Sequence, residues 1–316
     1  MIGVYDCIII GGGPAGLSAA IYAARQKLNF LLIAKDLGGQ TALSSDIENY
    51  LGFTKSTGTD LTTLFLQQLE ANNVPYNSGE EAVSLSKNGS NFVVRTSLAS
   101  YDTKTILIAS GKKPRKLKIT GEDELYSHGV TYCANCEAPL FKEVPVAVVG
   151  GGNAAMDAAI LCSKYATKVY IITINPDLMG EEQMTETIKK NPVMFEVIYN
   201  AKTLDIKGGR NNKEVDSITI GVGGLKRTIP VKAVFIEIGS IPSTDFDQLS
   251  EKNKWGEIIV HDELDRGMTN LTSVPGIFAA GDVTNVPEKQ ISVASGEGTK
   301  AMLSIFRFLN AKFASY

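Results

Sequence analysis

Short apolar runs alternate along this chain with helix-like segments, and glycine-rich turns join the two. Residues 4–10 become continuously apolar, which predicts a strand buried on both faces, and an Ala- and Leu-rich segment from Pro14 to Gln26 predicts the helix that follows. Further strands are predicted at 30–33 and 105–111, and alternating residues at 82–97 predict antiparallel strands. This order of elements predicts an α/β fold.

The second half of the chain repeats the opening pattern. An apolar strand at 144–149 leads into a second glycine-rich turn and a helix. The other elements predicted from the pattern are a helix at 59–72, strands at 168–172, 194–199, 202–207, 215–222, 228–238 and 271–282, and a helix at 291–312. We predict two Rossmann-like, three-layer ββα dinucleotide-binding domains, the second (116–241) inserted into the first (1–115 and 242–316). Lys112–Lys118 and Gly239–Thr244 are the predicted linkers.

The first turn, Gly11-Gly12-Gly13-Pro14-Ala15-Gly16, has the G-x-G-x-x-G spacing between a strand and a helix. Gly11 permits a tight turn, Gly13 permits close approach of a pyrophosphate, and Gly16 permits helix and strand to pack. An acid that binds a ribose is expected at the end of the second strand, where it is missing or displaced to Asp36. The glycine- and amide-rich loops at 38–41 and 47–53 are candidates for binding groups.

The second turn, residues 150–155, has the form G-x-G-x-x-A, but the nucleotide contacts expected after it are absent. An acid at the end of the next strand would bind the 2′-hydroxyl of NAD, and arginines would bind the 2′-phosphate of NADP. That position is Thr173, and neither Arg nor Lys occurs between Lys168 and Lys189. Either another group replaces the missing acid or arginines, or this domain does not bind a nicotinamide nucleotide tightly.

Cys133-Ala134-Asn135-Cys136 has the spacing of a redox dithiol, in which one thiol has a lowered pKa. The adjacent Glu137 could exchange a proton with a thiolate. A zinc site is the main alternative, but His128 and His261 are the only histidines and there is no second Cys-x-x-Cys. A loop with two unreactive thiols is the other alternative. Cys7 and Cys162, in apolar patterns, are predicted to be small buried residues.

Composition narrows the class of protein. A chain of 316 residues with 44% hydrophobic and 21% charged residues is typical of a globular protein, and a net charge of −3 argues against non-specific nucleic-acid binding. No signal peptide and no membrane-spanning run is evident, so we expect a cytoplasmic protein. The basic run Lys112–Lys118 is interpreted as a solvated surface, with a dock for an acidic protein partner as the alternative.

Several motifs occur together in the order found in low-molecular-weight thioredoxin reductases, which the chain resembles over essentially its whole length. They are Gly11–Gly16, Gly38-Gly39-Gln40, Glu48-Asn49-Tyr50, Cys133–Glu137, the second glycine turn and Ala279-Ala280-Gly281-Asp282-Val283. Segments around Tyr132, Phe141 and Gln290 are similar to the flavoprotein subunit of alkyl hydroperoxide reductase. The extra thioredoxin-like region of that flavoprotein has no counterpart in this sequence, so a separate thioredoxin- or glutaredoxin-like acceptor is expected.

The resemblance implies FAD in the first domain, a pyridine-nucleotide-type second domain, and a homodimer. It implies that FAD is held by Gly11, Gly13, Pro14, Ala15, Gly16, Asp36, Gly39, Gln40, Asn49, Gly111, Gly281, Asp282, Gln290 and Ile291. It also implies that Cys136 exchanges electrons with the flavin, that Cys133 attacks the disulfide of a thioredoxin-like protein, and that Glu137 replaces the usual aspartate as acid and base. Family members rotate the inserted domain about its linkers between these steps.

The family's NADPH signature, His-Arg-Arg-x-x-x-Arg, is absent, and the acid of its NADH-using relatives is replaced by Thr173. Such losses occur in subfamilies that use ferredoxin, so a ferredoxin-type donor is predicted. The alternative is an NAD(P)H-dependent reductase of a thioredoxin or peroxiredoxin system. Two other classes stay open: a flavoprotein that reduces oxygen or a quinone directly, and a redox-sensing flavoprotein without turnover.

Overall fold

The computed structural model describes residues 3–44, 47–209 and 213–310. The chain divides into two compact units, Met1–Lys113 with Ile241–Tyr316, and Pro114–Ser240. The second unit is therefore inserted into the first. The boundaries predicted from the linkers, after residues 115 and 241, lie two residues and one residue away from these divisions.

The elements are as follows, in chain order. The helices are α1 (Pro14–Arg25), α2 (Gly58–Ala71), α3 (Ala134–Glu137), α4 (Asn153–Cys162), α5 (Glu182–Lys189) and α6 (Ile291–Asn310). The strands are β1 (Tyr5–Gly12), β2 (Phe30–Leu37), β3 (Tyr76–Ser78), β4 (Ala82–Asn88), β5 (Asn91–Thr96), β6 (Ser100–Ile108), β7 (Lys112–Pro114), β8 (Val130–Thr131), β9 (Pro145–Val149), β10 (Lys168–Ile172), β11 (Phe195–Ile198), β12 (Lys202–Gly208), β13 (Val215–Val222), β14 (Leu225–Pro230), β15 (Ala233–Ile236), β16 (Ser240–Pro242), β17 (His261–Glu263), β18 (Met268–Leu271) and β19 (Ile277–Ala279).

The first unit is built on a sheet with the strand order β17-β18-β19-β6-β1-β2-β3, to which the β4–β5 hairpin is attached through β6. The strands from β19 to β3 run parallel. Side chains alternate across a strand, so successive residues of β1 pack into hydrophobic cores on the two faces of the sheet. Cys7 and Ile9 pack with α1 and α6, whereas Ile8 and Ile10 pack with the hairpin. Helices on one face and an antiparallel hairpin on the other make three layers.

The second unit has the same plan. Its parallel sheet has the order β11-β10-β9-β15-β8, and a separate antiparallel sheet contains β12, β13 and β14. Val146 and Val148 of β9 pack with α4 and α5, while Ala147 and Val149 face the antiparallel sheet. The two layered units confirm the predicted α/β class with two Rossmann-like domains.

Two predicted strands are wrong. The apolar run at 228–238 contains two strands in different sheets, because β14 ends at Pro230 and β15 begins at Ala233. The run at 271–282 is also divided, since β18 and β19 are antiparallel and a turn containing Gly276, with φ of +93°, separates them. Each break lies at a proline inside the run, Pro230 in the first and Pro275 in the second, and a proline has no N–H group to donate to a strand pairing.

The chain crosses between the units twice, and the crossing segments β7 and β16 pair as a two-stranded sheet. Among the described residues, no helix combines the length and the apolarity needed to cross a bilayer. The last helix is described to Asn310, so the predicted end at residue 312 lies outside the described residues.

Candidate functional site

The first glycine motif forms the turn between β1 and α1, and two of its positions have no room for a side chain. A Cβ atom on Gly11, whose φ is +119°, would lie 2.2 Å from the carbonyl oxygen of Ala109. A Cβ atom on Gly16 would lie 1.9 Å from the carbonyl oxygen of Gly11. These glycines therefore build the turn and the contact between helix and strand, as their spacing predicts.

Gly13 differs, because no atom lies within 4 Å of a Cβ atom built on it. It precedes Pro14, the first residue of α1, and no side-chain hydrogen bond caps the helix at this position. The first N–H groups of an α-helix have no partner within the helix, and the open space at Gly13 would give a pyrophosphate room to approach them. Ala15 is buried behind this turn.

Other predicted FAD residues converge on the same turn. A Cβ atom on Gly39 would lie 3.1 Å from the Cα atom of Gly13, and one on Gly281 would lie 3.0 Å from the Cβ atom of Ala15. Asp36 is exposed on β2, and its carbonyl oxygen would lie 2.4 Å from a Cβ atom on Gly12. The displaced acid therefore lies beside the turn.

The predicted polar groups also form contacts across the first unit. The Gln40 side chain donates to the carbonyl oxygen of Lys112, one residue beyond the predicted Gly111. The Asn49 amide donates to Oε1 of Gln290 over 3.1 Å, directly before Ile291 begins α6. These two contacts join residues that are far apart in the sequence but close together in the first unit.

Asp282 lies in a 3₁₀ turn at Gly281–Val283 and is partly buried. Burial raises the pKa of its carboxyl group, and the nearby charges of Lys289 and Lys112 oppose the rise. An open glycine turn, side-chain amides beside it and a partly buried carboxyl group fit a flavin dinucleotide.

Four residues of this unit make contacts that the sequence did not indicate. A Cβ atom on Gly298 would lie 1.9 Å from the carbonyl oxygen of Ala15, so Gly298 packs α6 against α1. The buried Glu297 accepts the Gly281 N–H over 3.0 Å. Nζ of Lys112 lies 2.6 Å from a carboxylate oxygen of Glu257, in an ion pair that no local motif indicates.

In the second unit, Cys133 is disulfide-bonded and precedes the first residue of the short helix α3. The side chain of Cys136, its predicted partner, lies outside the part of the structure that is described. Nearby, the Thr131 hydroxyl donates to Oε1 of Glu137 over 2.8 Å and accepts the Cys133 N–H over 3.2 Å. Glu137 is only 6% exposed. Thr131 therefore connects the predicted acid to the backbone of the predicted nucleophile.

The segment before the dithiol is held by a buried carboxylate that sequence reasoning missed. Glu122 accepts the Tyr132 hydroxyl over 2.8 Å and the backbone N–H groups of Leu117 and Lys118 over 2.8 and 2.6 Å. Burial, followed by the Glu122 carboxylate, raises the pKa of Tyr132. This tyrosine is therefore a neutral donor that anchors the strand leading to Cys133.

The other two cysteines are free and buried, which confirms their predicted role. Burial raises the pKa of Cys7 and of Cys162 to about 12, so neither forms a thiolate near neutral pH. In the part of the chain that the structure describes, no three His, Cys, Asp or Glu side chains lie close enough to hold a metal ion.

The second glycine motif repeats the geometry of the first. A Cβ atom on Gly150, whose φ is +148°, would lie 2.3 Å from the carbonyl oxygen of Glu237, while Gly152 faces open space. Thr173, at the end of β10, is buried and accepts the Asn175 N–H over 3.1 Å. Its side chain is thus engaged with its own loop.

That loop lies against the beginning of α4. The Met179 N–H donates to the Gly151 carbonyl oxygen over 2.7 Å, and the Glu181 N–H donates to Oδ1 of Asn153 over 2.8 Å. A Cβ atom on Gly180 would lie 2.4 Å from the same Asn153 oxygen. The charged groups of the loop itself are the carboxylates of Asp177 and Glu181, and Nζ of Lys189 on α5 lies 3.3 Å from a carboxylate oxygen of Asp177.

Comparison with known proteins identifies the family to which the chain belongs. Residues 5–298 match the pyridine nucleotide-disulphide oxidoreductase family. The F subunit of alkyl hydroperoxide reductase in Escherichia coli is 34% identical over 96% of this chain, which spans only 58% of that protein. The thioredoxin reductase structure from Streptococcus pyogenes is 33% identical over 98% of this chain and 99% of its own, with a TM-score of 0.86.

A ferredoxin-flavin thioredoxin reductase from Clostridium acetobutylicum is 32% identical over 99% of each chain, with a TM-score of 0.53. The family match, the full-length similarity to thioredoxin reductases and the two layered units agree with one another. The chain therefore belongs to the pyridine nucleotide-disulphide oxidoreductase family and is similar over its whole length to thioredoxin reductases.

Proposed function

We propose that this protein reduces the disulfide of thioredoxin or a thioredoxin-like protein, through FAD and the Cys133–Cys136 dithiol, with electrons from a ferredoxin-type donor. The proposal rests mainly on the hydrogen bonds around Cys133. This cysteine is in a disulfide, and Thr131 connects its backbone N–H to the buried carboxylate of Glu137. A purely structural disulfide does not require a buried acid at this position.

The residues around the first glycine turn would hold FAD. The open beginning of α1 at Gly13 would bind the pyrophosphate, Asp282 would bind a ribitol hydroxyl, and the linked amides of Asn49 and Gln290 would contact the ring. When bound, FAD supplies a carrier that accepts two electrons and passes them to a disulfide. The protein supplies the binding, the orientation and the proton transfer.

The reduced dithiol then acts by thiol exchange. The Cys133 thiolate attacks one sulfur of the partner's disulfide, forming a mixed disulfide and releasing the partner's other sulfur as a thiolate. The Cys136 thiolate attacks Cys133, which restores the internal disulfide and releases the second partner thiolate. Glu137 is the group that gives a proton to a departing thiolate. The partner gains two electrons and the dithiol loses two.

Changing Glu137 to Gln is expected to slow this exchange by about 10²–10⁴-fold, the usual contribution of a positioned acid or base. Gln has the same shape and can still accept the Thr131 hydroxyl, so the local structure should persist. The measurement is the single-turnover rate at which chemically reduced protein reduces a thioredoxin disulfide, followed from pH 6 to 9. An unchanged rate and pH profile would show that Glu137 is not the proton donor.

The donor is a separate proposal. It is supported by the buried Thr173 and by the loop after β10, which is bonded to Gly151 and Asn153 and carries carboxylates at Asp177 and Glu181. Glu181 would repel the 2′-phosphate of NADPH, whereas the charge of Asp177 is compensated by Lys189. The neighbour from Clostridium acetobutylicum is named for a ferredoxin and flavin system and is similar over the whole chain.

We expect excess NADPH or NADH to leave the flavin absorbance of the anaerobic, oxidised protein unchanged on the time scale of turnover. Reduced ferredoxin should bleach the same absorbance rapidly. Photochemical reduction is the control, because it shows that the flavin can be reduced in the same preparation. Rapid bleaching by either nucleotide would instead favour the NAD(P)H-dependent reductase, for which the open space at Gly152 is the supporting observation.

A further inference from the structure

Thr131 is the last residue of β8, lies two residues before Cys133 and is buried. Its backbone is held by the parallel sheet of the second unit, in which it is paired with Phe235 of β15. A β-branched side chain has few accessible χ1 rotamers, so a threonine on a fixed strand presents its hydroxyl group in a defined direction. The strand therefore places a hydroxyl group of fixed orientation beside the segment that carries Cys133.

The hydroxyl group of Thr131 has two hydrogen bonds, which together determine where its proton points. Its oxygen accepts the Cys133 N–H over 3.2 Å, and an N–H group can only donate. The hydroxyl proton is given to Oε1 of Glu137, with 2.8 Å between the two oxygen atoms. Thr131 and Glu137 are both buried, so water competes little for this hydrogen bond. Oε1 of Glu137 is therefore held as a hydrogen-bond acceptor.

A third hydrogen bond closes a ring through the same three residues. The Glu137 N–H donates to the Cys133 carbonyl oxygen over 3.2 Å, across the single turn that forms α3. The main chain of Glu137 is thus bonded to Cys133 directly, and its side chain is bonded to Cys133 through the hydroxyl of Thr131. The position of the carboxylate relative to the Cys133 backbone is fixed at both ends of the glutamate.

We propose that Thr131 is a positioning residue that selects the oxygen at which Glu137 carries its proton. A carboxyl group that accepts a hydroxyl proton at Oε1 binds its own proton at Oε2. Thr131 therefore keeps Oε1 as the acceptor and makes Oε2 the acid. This role rests on the proposed function, because it assigns an atom and a supporting residue to the proton donor of thiol exchange.

The proton moves from Oε2 to the departing sulfur of the disulfide substrate. The Cys133 thiolate forms a bond to one substrate sulfur, the substrate S–S bond breaks, and the other sulfur leaves with the electron pair. The O–H bond at Oε2 breaks and an S–H bond forms on that departing sulfur. Glu137 becomes a carboxylate, and the hydrogen bond from Thr131 strengthens because its acceptor is now charged. Solvent returns a proton to Oε2 before the next turnover.

This role makes the effect of Thr131 depend on the basicity of the departing thiolate. A weakly basic thiolate leaves readily without a proton, whereas a strongly basic one needs a proton donor. Thr131→Val keeps nearly the same side-chain shape but removes the hydroxyl, so the donor to Oε1 is lost. A loss of proton donation should slow only the reaction that releases a basic thiolate. A general distortion of the Cys133 segment should slow both reactions.

The experiment mixes FAD-loaded protein, reduced with dithiothreitol and then freed of it, with one of two small disulfides. Hydroxyethyl disulfide releases a strongly basic thiolate, and dithionitrobenzoate releases a weakly basic one. In single-turnover measurements, Thr131→Val should react about tenfold or more slowly with hydroxyethyl disulfide and less than about threefold more slowly with dithionitrobenzoate. Thr131→Ser, which keeps the hydroxyl group, should retain both rates.

Thr203 provides a matched control. It is a buried threonine of β12 in the same unit, and its hydroxyl oxygen has no hydrogen-bond partner among the residues that the structure describes. Thr203→Val should therefore retain both rates. Thr131→Val combined with Glu137→Gln should react no more slowly than Glu137→Gln alone, because two residues that act as a unit are not additive. Thermal unfolding verifies that each variant is folded.

Three results with folded variants would overturn the role of Thr131 while leaving the proposed function intact. They are unchanged rates in Thr131→Val, equal slowing with both disulfides, and slowing that adds fully to that of Glu137→Gln. A native protein whose reduced form reacts with neither disulfide would contradict the proposed function and the role of Thr131 together. The two kinds of failure are distinguishable, and neither depends on the identity of the electron donor.

Discussion

Replacing Cys133 with Ser is expected to lower the rate of protein-disulfide reduction by more than about a thousand-fold. A serine hydroxyl is not ionised near neutral pH and cannot form a disulfide, so both the internal disulfide and the mixed disulfide are lost. FAD should remain bound, because its proposed ligands all lie in the first unit. The measurement is a single-turnover assay in which photochemically reduced protein is mixed with oxidised thioredoxin.

Cys162 provides a matched control. It is a free, buried thiol in the same unit, and burial raises its pKa to about 12. Cys162→Ala should therefore retain the rate, apart from a modest loss of stability from the small cavity. Retained disulfide reduction in Cys133→Ser would contradict the proposal. Retained oxidase or quinone reductase activity alone would support a flavoprotein that acts without its dithiol.

The layered fold was predictable because its physical determinants are local. A parallel strand buried on both faces is continuously apolar, as in β1 and β9, and each of these strands is followed by glycines. The steric need for Gly11, Gly16 and Gly150 is likewise visible in their spacing after a strand. The chain reversal at Gly276 was missed because residues 271–282 were interpreted as one strand, although Ser273 and Pro275 are exposed and Pro275-Gly276 is typical of a turn.

The groups around the dithiol show where sequence reasoning fails. Glu137 was recognised because it adjoins Cys136 in the sequence. Thr131 and Glu237 were not, because an isolated polar residue in or after a strand has no spacing that indicates its partner. The position of Glu237 depends on the pairing of β15 with both β8 and β9, strands separated from it by more than eighty residues. The sheet order places the backbone carbonyl of Glu237 against Gly150.

Two neighbouring glycines of the first turn should respond to the same substitution in opposite ways. Gly16→Ala would place a Cβ atom 1.9 Å from the carbonyl oxygen of Gly11, in a contact between backbone groups that cannot move apart without displacing α1 from β1. We expect a loss of about 3 kcal/mol or more in the free energy of unfolding, at the upper end of the usual cost of overpacking. Chemical denaturation of the FAD-free protein measures it.

Gly13→Ala should leave the fold nearly unchanged. The residue has φ of −81°, which alanine adopts readily, and no atom lies within 4 Å of its Cβ position. The free energy of unfolding of the FAD-free protein should fall by less than about 1 kcal/mol, the difference expected between Gly and Ala at a helix N-cap. FAD affinity should fall at least about tenfold, because the added methyl group would occupy the space that the pyrophosphate needs. Full retention of FAD by Gly13→Ala would place the cofactor's phosphates elsewhere, and unchanged stability of Gly16→Ala would contradict the close contact on which this turn depends.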